Sequence, residues 1–451
     1  MDNSILYVIL IFLGALAVTI PVSLSLFIAG VIGMAFFAET VLSFERQSML
    51  LLEGFYKSMD NFSLVAVLFF VLCGNIMTAG SIVEKLLRFA KSLVGFMPGG
   101  LGMAGILACA LFGAISGSTV ATVVAIGGFM IPALIAEGYD ESYSIGSMTT
   151  APILGIIIPP SISMILYSAV TNDSLAALFM TGYVPGILII ASMCLYTYVI
   201  ARRSGMVRQK SPSFREFMAI LRDSIWAILL PVVIFVGIYS GMFTANEAAV
   251  VACVYAFVVE LFIHKNMTFG QARKIIVSSA VTTATLLIIV AGSSVFGKYL
   301  TVERLPEIIA GAVTSNITSA WAFLLVVNLF LLVVGMFMDI VSATIIITPI
   351  MLPMLAKFGI NSLHFGLLMT VNLGIGYVTP PVGGSLYIAS AIAKRDLMFV
   401  VRAVLPFIIL QIIILALLTY VPDLSLSLPK VFYKEAVEAG YAVGVDESGG
   451  I

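Results

Sequence analysis

Two stretches set paired prolines inside long apolar runs: Gly155-Ile156-Ile157-Ile158-Pro159-Pro160-Ser161 and Gly376-Tyr377-Val378-Thr379-Pro380-Pro381-Val382-Gly383-Gly384. Two consecutive prolines remove two backbone donors, so carbonyls one turn earlier lose their helical partners. Freed carbonyls beside Ser and Thr hydroxyls form a hard-oxygen cage suited to Na+ or a similar cation. The half-helix restarting after each break offers free N–H groups and a positive dipole end, which suits a carboxylate. One break can thus hold a cation and an anion together. The plain alternative is a proline kink that only serves helix packing.

Two polar interruptions accompany the breaks. Ser116-Gly117-Ser118-Thr119, with Thr122 one turn on, lies in an apolar run over 101–136. It reads as a turn, although small residues at a helix–helix contact also fit. The second interruption spans Gly335 to Thr344 and carries Asp339 and Ser342. Asp339 has the position of an N-cap for a helix starting at Ile340. Flanked by Phe337, Met338 and Ile340, it is also an intramembrane acid, and such residues usually serve function, here as a cation ligand. Thr244 and Glu247 have capping-box spacing and read as structural. Lys298 and Arg304 either steer an anion or snorkel to the interface.

The elements that position these groups are membrane helices. The 451 residues are 61% hydrophobic and 10% charged, whereas a soluble domain carries about 25% charge. Single helices are expected near 4–20, 22–38, 62–79, 181–200, 225–242, 246–263, 277–297 and 404–421. Longer, internally polar stretches cover 101–136, 142–170, 318–356 and 362–392. The first run is too long for a signal peptide. Cys73, Cys109, Cys194 and Cys253 lie in apolar runs without CxxC spacing and read as packing residues. His264 and His364 fall in separate candidate loops; no HExxH, GxSxG or P-loop pattern occurs, so an enzyme is not expected. A net charge of −1 without a basic domain gives no reason to expect nucleic acid.

The two halves match at a constant shift of 221 positions. Pro132 pairs with Pro353, Gly138 with Gly359, Gly155 with Gly376, Pro159-Pro160 with Pro380-Pro381, and Pro185 with Pro406. With only 17 prolines in the chain, a register of this kind signals an internal repeat, frequent in carrier folds. With the N-terminus outside, loops 80–100, 201–224, 264–275 and 393–403 fall inside and hold 15 of the 22 basic residues, including Arg208 and Lys210. The second half then starts from the opposite side, so the repeats are inverted. In 101–136 a first arm of about 13 residues reaches only about 20 Å, which predicts a re-entrant hairpin. By symmetry, 318–356 is a second. Ser211 to Arg222 is expected as an interfacial amphipathic helix, and the polar tail after Val421 as flexible.

Four motifs together resemble one family: Gly113-Ala114-Ile115-Ser116-Gly117-Ser118, IIIPPS, VTPPVGG, and GMFTANEAAVV at 241–251. The family is the large membrane subunit of the tripartite ATP-independent periplasmic (TRAP) transporters, the DctM-like proteins. The resemblance runs from the first helix to about residue 421. It departs at Ala245-Asn246, where the family has Pro-Thr.

The resemblance implies an all-α polytopic membrane protein of the elevator type, in which a transport domain slides against a scaffold. It implies sodium-driven uptake of organic acids across a bacterial inner membrane. A small four-helix DctQ-like subunit and a periplasmic DctP-like binding protein are the implied partners, the former as a separate polypeptide. Carried over by motif, one sodium site uses Ser116 with Gly155, Ile157 and Pro160, and a second uses Asp339 with Gly376, Thr379 and Val382. Substrate contacts are expected at Ser118, Thr119, Ser161 and Gly383.

The implied organisation has scaffold helices at 1–61 and 225–276, transport elements at 62–200 and 277–421, a linker at 201–224 and a tail at 422–451, with both termini periplasmic. A stand-alone sodium/dicarboxylate symporter is the alternative within transport. A channel would need continuous polar pore faces, which two isolated breaks do not supply.

Overall fold

A computed structural model describes residues 3–18, 20–38, 43–204 and 211–441. The expected Arg208 and Lys210, and the last ten residues of the tail, lie outside the described residues. Everything regular within them is helical. Nine helices among the described residues are long and apolar enough to cross a membrane, or up to ten if one bent pair counts as a span.

The first half comprises α1 (Asn3–Ala17), α2 (Val22–Phe37), α3 (Phe44–Met59), α4 (Ser63–Ala79) and α5 (Ile82–Val94). These lead into α6 (Gly100–Ser116), α7 (Thr119–Ala136), α8 (141–157), α9 (Ile162–Thr171) and α10 (Leu175–Arg203). The second half runs α11 (Phe214–Tyr239), α12 (Ala245–Ile263), α13 (Phe269–Val302), α14 (Leu305–Asn316), α15 (Ala320–Phe337) and α16 (Ile340–Phe358). It closes with α17 (Ser362–Gly376), α18 (Gly384–Ala393), α19 (Leu397–Tyr420), α20 (Asp423–Phe432) and α21 (Lys434–Ala439).

Both hairpins are closed at their open ends. Gly102, at the start of α6, donates its N–H to the Tyr139 hydroxyl just beyond α7, at 3.4 Å. At the start of α15 the Phe323 ring stacks on Phe358, the last residue of α16, with centroids 4.4 Å apart and planes 15° from parallel. These contacts hold the two ends of each hairpin together. The arms are longer than the sequence suggested: 17 and 18 residues in the first hairpin, or about 25 Å each. The short first arm expected from the sequence is therefore not seen, and arms of this length suit a full crossing as well as a re-entrant hairpin.

The two halves interlock. The first helices of each half pack on later helices of the other: α2 and α3 on α13, α12 on α4, and α11 on α5. Likewise α9, after the first break, packs on α16 of the second hairpin, and α18, after the second break, on α7 of the first. The broken helix over Glu141–Thr171 is 83% buried in its most apolar window, while α11 and α13 are 22% and 28% buried. The breaks therefore sit at the centre, and α11 and α13 turn apolar side chains such as Phe235 and Ile288 outward. In a membrane that outward face meets lipid.

Several expectations change. Ser211–Arg222 makes no separate helix; Ser213 and Glu216 form a capping box and α11 runs unbroken from Phe214. Stretch 80–100 is not a loop but contains α5, whose charged stripe of Glu84, Arg88 and Lys91 lowers its hydropathy. His364 lies within α17, buried, with Nδ1 2.7 Å from Ser425 Oγ, and His264 abuts the end of α12. The tail forms α20 and α21, pinned where Asn361 Nδ2 donates to the Val437 carbonyl at 2.7 Å. Thr244 and Glu247 do form the expected capping box.

Candidate functional site

Each tip is built by a helix end and a cap. Gly117 ends α6 in the left-handed region (φ 60°), which a residue without Cβ adopts at no steric cost. Ser118 then caps α7, its Oγ accepting the Ala121 N–H at 3.4 Å. Thr122 Oγ1 donates to the Ser118 carbonyl at 2.7 Å and lies 3.4 Å from Ser116 Oγ. Thr119 is 2% exposed, and its hydroxyl has no partner among the described residues. In the second tip Asp339 Oδ1 accepts the Ser342 N–H at 2.9 Å and so caps α16. The Ser342 hydroxyl is buried without a partner among the described residues.

The first break follows the last helical bond of α8, from Ile158 N–H to the Leu154 carbonyl at 2.9 Å. Ser161 caps α9, accepting from Met164 N–H at 3.4 Å, with Ser163 Oγ 2.9 Å away. Ile162 N–H donates to the Gly117 carbonyl at 3.4 Å, which ties break to tip. A Cβ on Gly155 would lie 2.9 Å from Thr122 Oγ1 and 3.1 Å from the Ser118 carbonyl. Ser116 and Gly155 therefore share one small group of oxygens around Thr122. The Pro160 carbonyl faces Gly117, whereas the Ile157 carbonyl packs on Gly182 inside α10. Ser161 is fully buried, behind the tip.

The second break repeats the first at the 221-residue shift. Gly383, the counterpart of Ile162, donates its N–H to the Met336 carbonyl of the preceding tip at 3.2 Å. A Cβ on Gly376 would lie 2.6 Å from Gly335 Cα, so α17 and α15 touch backbone to backbone. The Gly376 carbonyl accepts Thr379 N–H at 2.9 Å, and Thr379 Oγ1 donates to the Ile375 carbonyl at 2.6 Å. Val382 is 42% exposed. Gly376, Thr379 and Val382 thus share the break, while Asp339 caps α16 at the tip.

Both tips open on one cavity of about 480 Å³, a volume typical of small-molecule sites. Ser116, Ser118, Thr119 and Asp339 line it; Ser161, Gly383, Gly155, Ile157, Pro160, Gly376, Thr379 and Val382 do not. Sequence reasoning missed Ser163, Tyr377, Asn75 and Thr78 of α4, and Thr282 of α13. Asn75 Nδ2 donates to Ser279 Oγ at 2.8 Å, joining α4 to α13. The available signal was polar side chains in otherwise apolar helices. Among the described residues no Arg, Lys or His lines the cavity, and Lys298 instead lies against Gly54. Among the described residues no cluster of three His, Cys, Asp or Glu side chains exists to hold a metal. Any cation bound here would be held by hydroxyl and carbonyl oxygens with at most one carboxylate.

Residues 8–424 match the family model described as the DctM component of the tripartite ATP-independent periplasmic transporter. The chain is 39% identical over 393 residues to the C4-dicarboxylate TRAP transporter large permease protein DctM of Pseudomonas aeruginosa, covering 87% of this chain and 92% of that one. It is 33% identical over 420 residues to the sialic acid TRAP transporter large permease protein SiaM of Vibrio cholerae, covering 93% and 97%. Among solved structures it resembles the YdaH transporter of Alcanivorax borkumensis, with a TM-score of 0.65 at 14% identity over 94% of this chain and 98% of that one, a likeness of fold alone. The chain belongs to the DctM family, the large permease component of tripartite ATP-independent periplasmic transporters.

Proposed function

We propose that this permease carries out sodium-coupled uptake of an organic acid by an elevator movement. The observation that carries the reading is the cavity shared by both tips, lined by hydroxyls and Asp339 and, among the described residues, by no basic side chain. A carboxylate entering a low-dielectric space that already holds an acid needs compensating positive charge. Cations and helix N-termini are the sources left to supply it. In this reading one sodium ion sits with Ser116, Gly155, Ile157 and Pro160, to which Thr122 adds an oxygen. A second sits with Asp339, Gly376, Thr379 and Val382.

The substrate carboxylate meets Ser118 and Thr119, where a buried hydroxyl stands unpartnered at the head of α7. Ser161 and Gly383 head the half-helices behind. The repeats are inverted, and the two hairpins with the broken helices move as one body against the remaining helices. A DctQ-like small subunit and a DctP-like periplasmic binding protein complete the system in a bacterial inner membrane, with both ends of the chain periplasmic. Nothing in this scheme calls for enzymatic chemistry.

The test is uptake of radiolabelled acids into vesicles holding the permease and its two partner proteins, with and without a sodium gradient. Uptake that ignores sodium sinks the coupling. Uptake that persists without the binding protein favours a stand-alone carrier.

A further inference from the structure

The transport reading leaves open what recognises the part of the acid away from its carboxylate. Positions 156 and 377 are equivalent at the 221-residue shift, and both line the cavity. Each is the second residue of a glycine-led turn that runs into a proline pair. The two broken helices therefore present the same backbone position to one space, but with different chemistry: Ile156 offers hydrocarbon, and Tyr377 a phenol.

Three observations single out that phenol. Its hydroxyl lies against the first residue of α18: a Cβ on Gly384 would stand 2.1 Å from Tyr377 Oη and 2.2 Å from Cζ. The ring is thus seated by a glycine rather than swinging free. The hydroxyl makes no hydrogen bond among the described residues, and Asp339 is its charged neighbour. It also comes from the second break, whereas Ser118 and Thr119, which line the same cavity, come from the first hairpin.

We propose that Tyr377 is a specificity-determining residue of this cavity, whose hydroxyl donates a hydrogen bond to an oxygen at the far end of the organic acid. The preferred class is an acid with a second oxygen function, a hydroxyl, carbonyl or second carboxylate, a few carbons from the first. A methyl-ended acid leaves the phenol and any far-end water unmatched. A site built to hydrogen-bond a substrate rejects the analogue lacking that group far more strongly than it rejects a change of bulk. This inference rests on the transport reading.

The experiment uses three four-carbon probes that differ only at the far end: butyrate, 4-hydroxybutyrate and succinate. Their dissociation constants for the purified full chain in saturating sodium are read by thermal-shift titration. The variants are Tyr377→Phe, which deletes only the hydroxyl, and Tyr377→Ile, which copies position 156. For the wild type, at least one oxygen-ended acid binds about tenfold or more tighter than butyrate. In Tyr377→Phe that gap closes through weaker binding of the oxygen-ended acid, with butyrate unchanged, and Tyr377→Ile behaves alike. A gap that survives in Tyr377→Phe, or that is missing in the wild type while acids still bind, overturns the role of Tyr377 and leaves the transport reading standing. Failure of all three acids to bind the wild type in sodium overturns the role of Tyr377, while the transport reading is decided separately by the uptake measurement with both partner proteins. A purely structural role for Tyr377 would weaken all three probes together, which also overturns the proposal.

Discussion

Ser118 and Asp339 stand 221 residues apart and do the same local job. Ser118 Oγ accepts the N–H of Ala121, and Asp339 Oδ1 accepts that of Ser342, each three residues on. Both line the same cavity. One cap is neutral and the other carries a charge, so the tips are equal in geometry and unequal in electrostatics. Capping alone would be served by either residue type.

That difference gives a clean pair of variants. Asp339→Asn retains an acceptor for Ser342 and removes the charge. Expected are near-unchanged thermal stability and a sodium requirement for uptake raised about tenfold, or ~1.4 kcal/mol. Ser118→Ala removes a cap and should cost ~1 kcal/mol of stability, with the sodium titration shifted far less. If both variants give the wild-type sodium curve, Asp339 is a cap and nothing more.

Backbone contact between tip and break is equally testable. A methyl on Gly376 would stand 2.6 Å from Gly335 Cα, with no flexible side chain to yield. Gly376→Ala should lower stability by ~1–3 kcal/mol and depress uptake, because α15 and α17 must part. Gly128, in α7, has nothing within 4 Å of its would-be Cβ. Gly128→Ala should be neutral or stabilising by ~0.5–1 kcal/mol. Melting curves of the two purified variants compare the sites directly.

What the sequence made legible was backbone chemistry. Proline pairs, the turn at Ser116–Thr119 and the cap position of Asp339 act within a few residues, so their local meaning survives without tertiary knowledge. What stayed hidden depends on partners distant in the chain. Nothing local says that α2 packs on α13, or that α12 packs on α4. The helix α5 was masked because a charged stripe on a short helix resembles a loop in hydropathy. Tyr377 passed as a spacer between Gly376 and Thr379, because its importance lies in facing the same space as Ile156. Asn246, where the chain departs from the family's usual Pro-Thr, donates from Nδ2 to the Phe62 carbonyl at 2.6 Å. That substitution belongs to the join between α12 and the head of α4.

A third prediction concerns pH. Buried Glu260 accepts the N–H groups of Ser81 and Ile82 at 2.8 and 2.9 Å, holding the head of α5 against α12. His264 Nδ1 lies 2.9 Å from Ser81 Oγ in the same cluster. Burial pulls the His264 pKa below its ordinary value, outweighing the opposing pull of Glu260 and Asp223, while Lys85 adds to the lowering. An unfolded histidine takes up its proton near pH 6.5, before the folded one does. Stability contributed by this site therefore falls as pH drops below that point, since the unfolded state binds more protons. The melting temperature should fall between about pH 7.5 and pH 5.5, and His264→Gln should flatten that slope. An unchanged slope in the variant would place the acid sensitivity elsewhere.

Orientation can be read with single cysteines, because the native background is quiet: Cys73, Cys109 and Cys253 are buried and Cys194 half-buried. Arg215, near the start of α11, and Glu435, in α21, are both exposed and far from the cavity lining. In the proposed orientation, with the basic linker inside and the tail outside, a membrane-impermeant maleimide applied to intact spheroplasts should label Glu435→Cys. Arg215→Cys should react only after the membrane is permeabilised. The proposed topology puts the two positions on opposite sides, because its path from α11 to α19 crosses an odd number of times when the second hairpin returns to its own side. Labelling of both variants in intact cells would mean that this hairpin, despite the Phe323–Phe358 stack, does not set the parity assigned to it. The inverted relation of the two halves would fall with that result, since it rests on the same count of crossings.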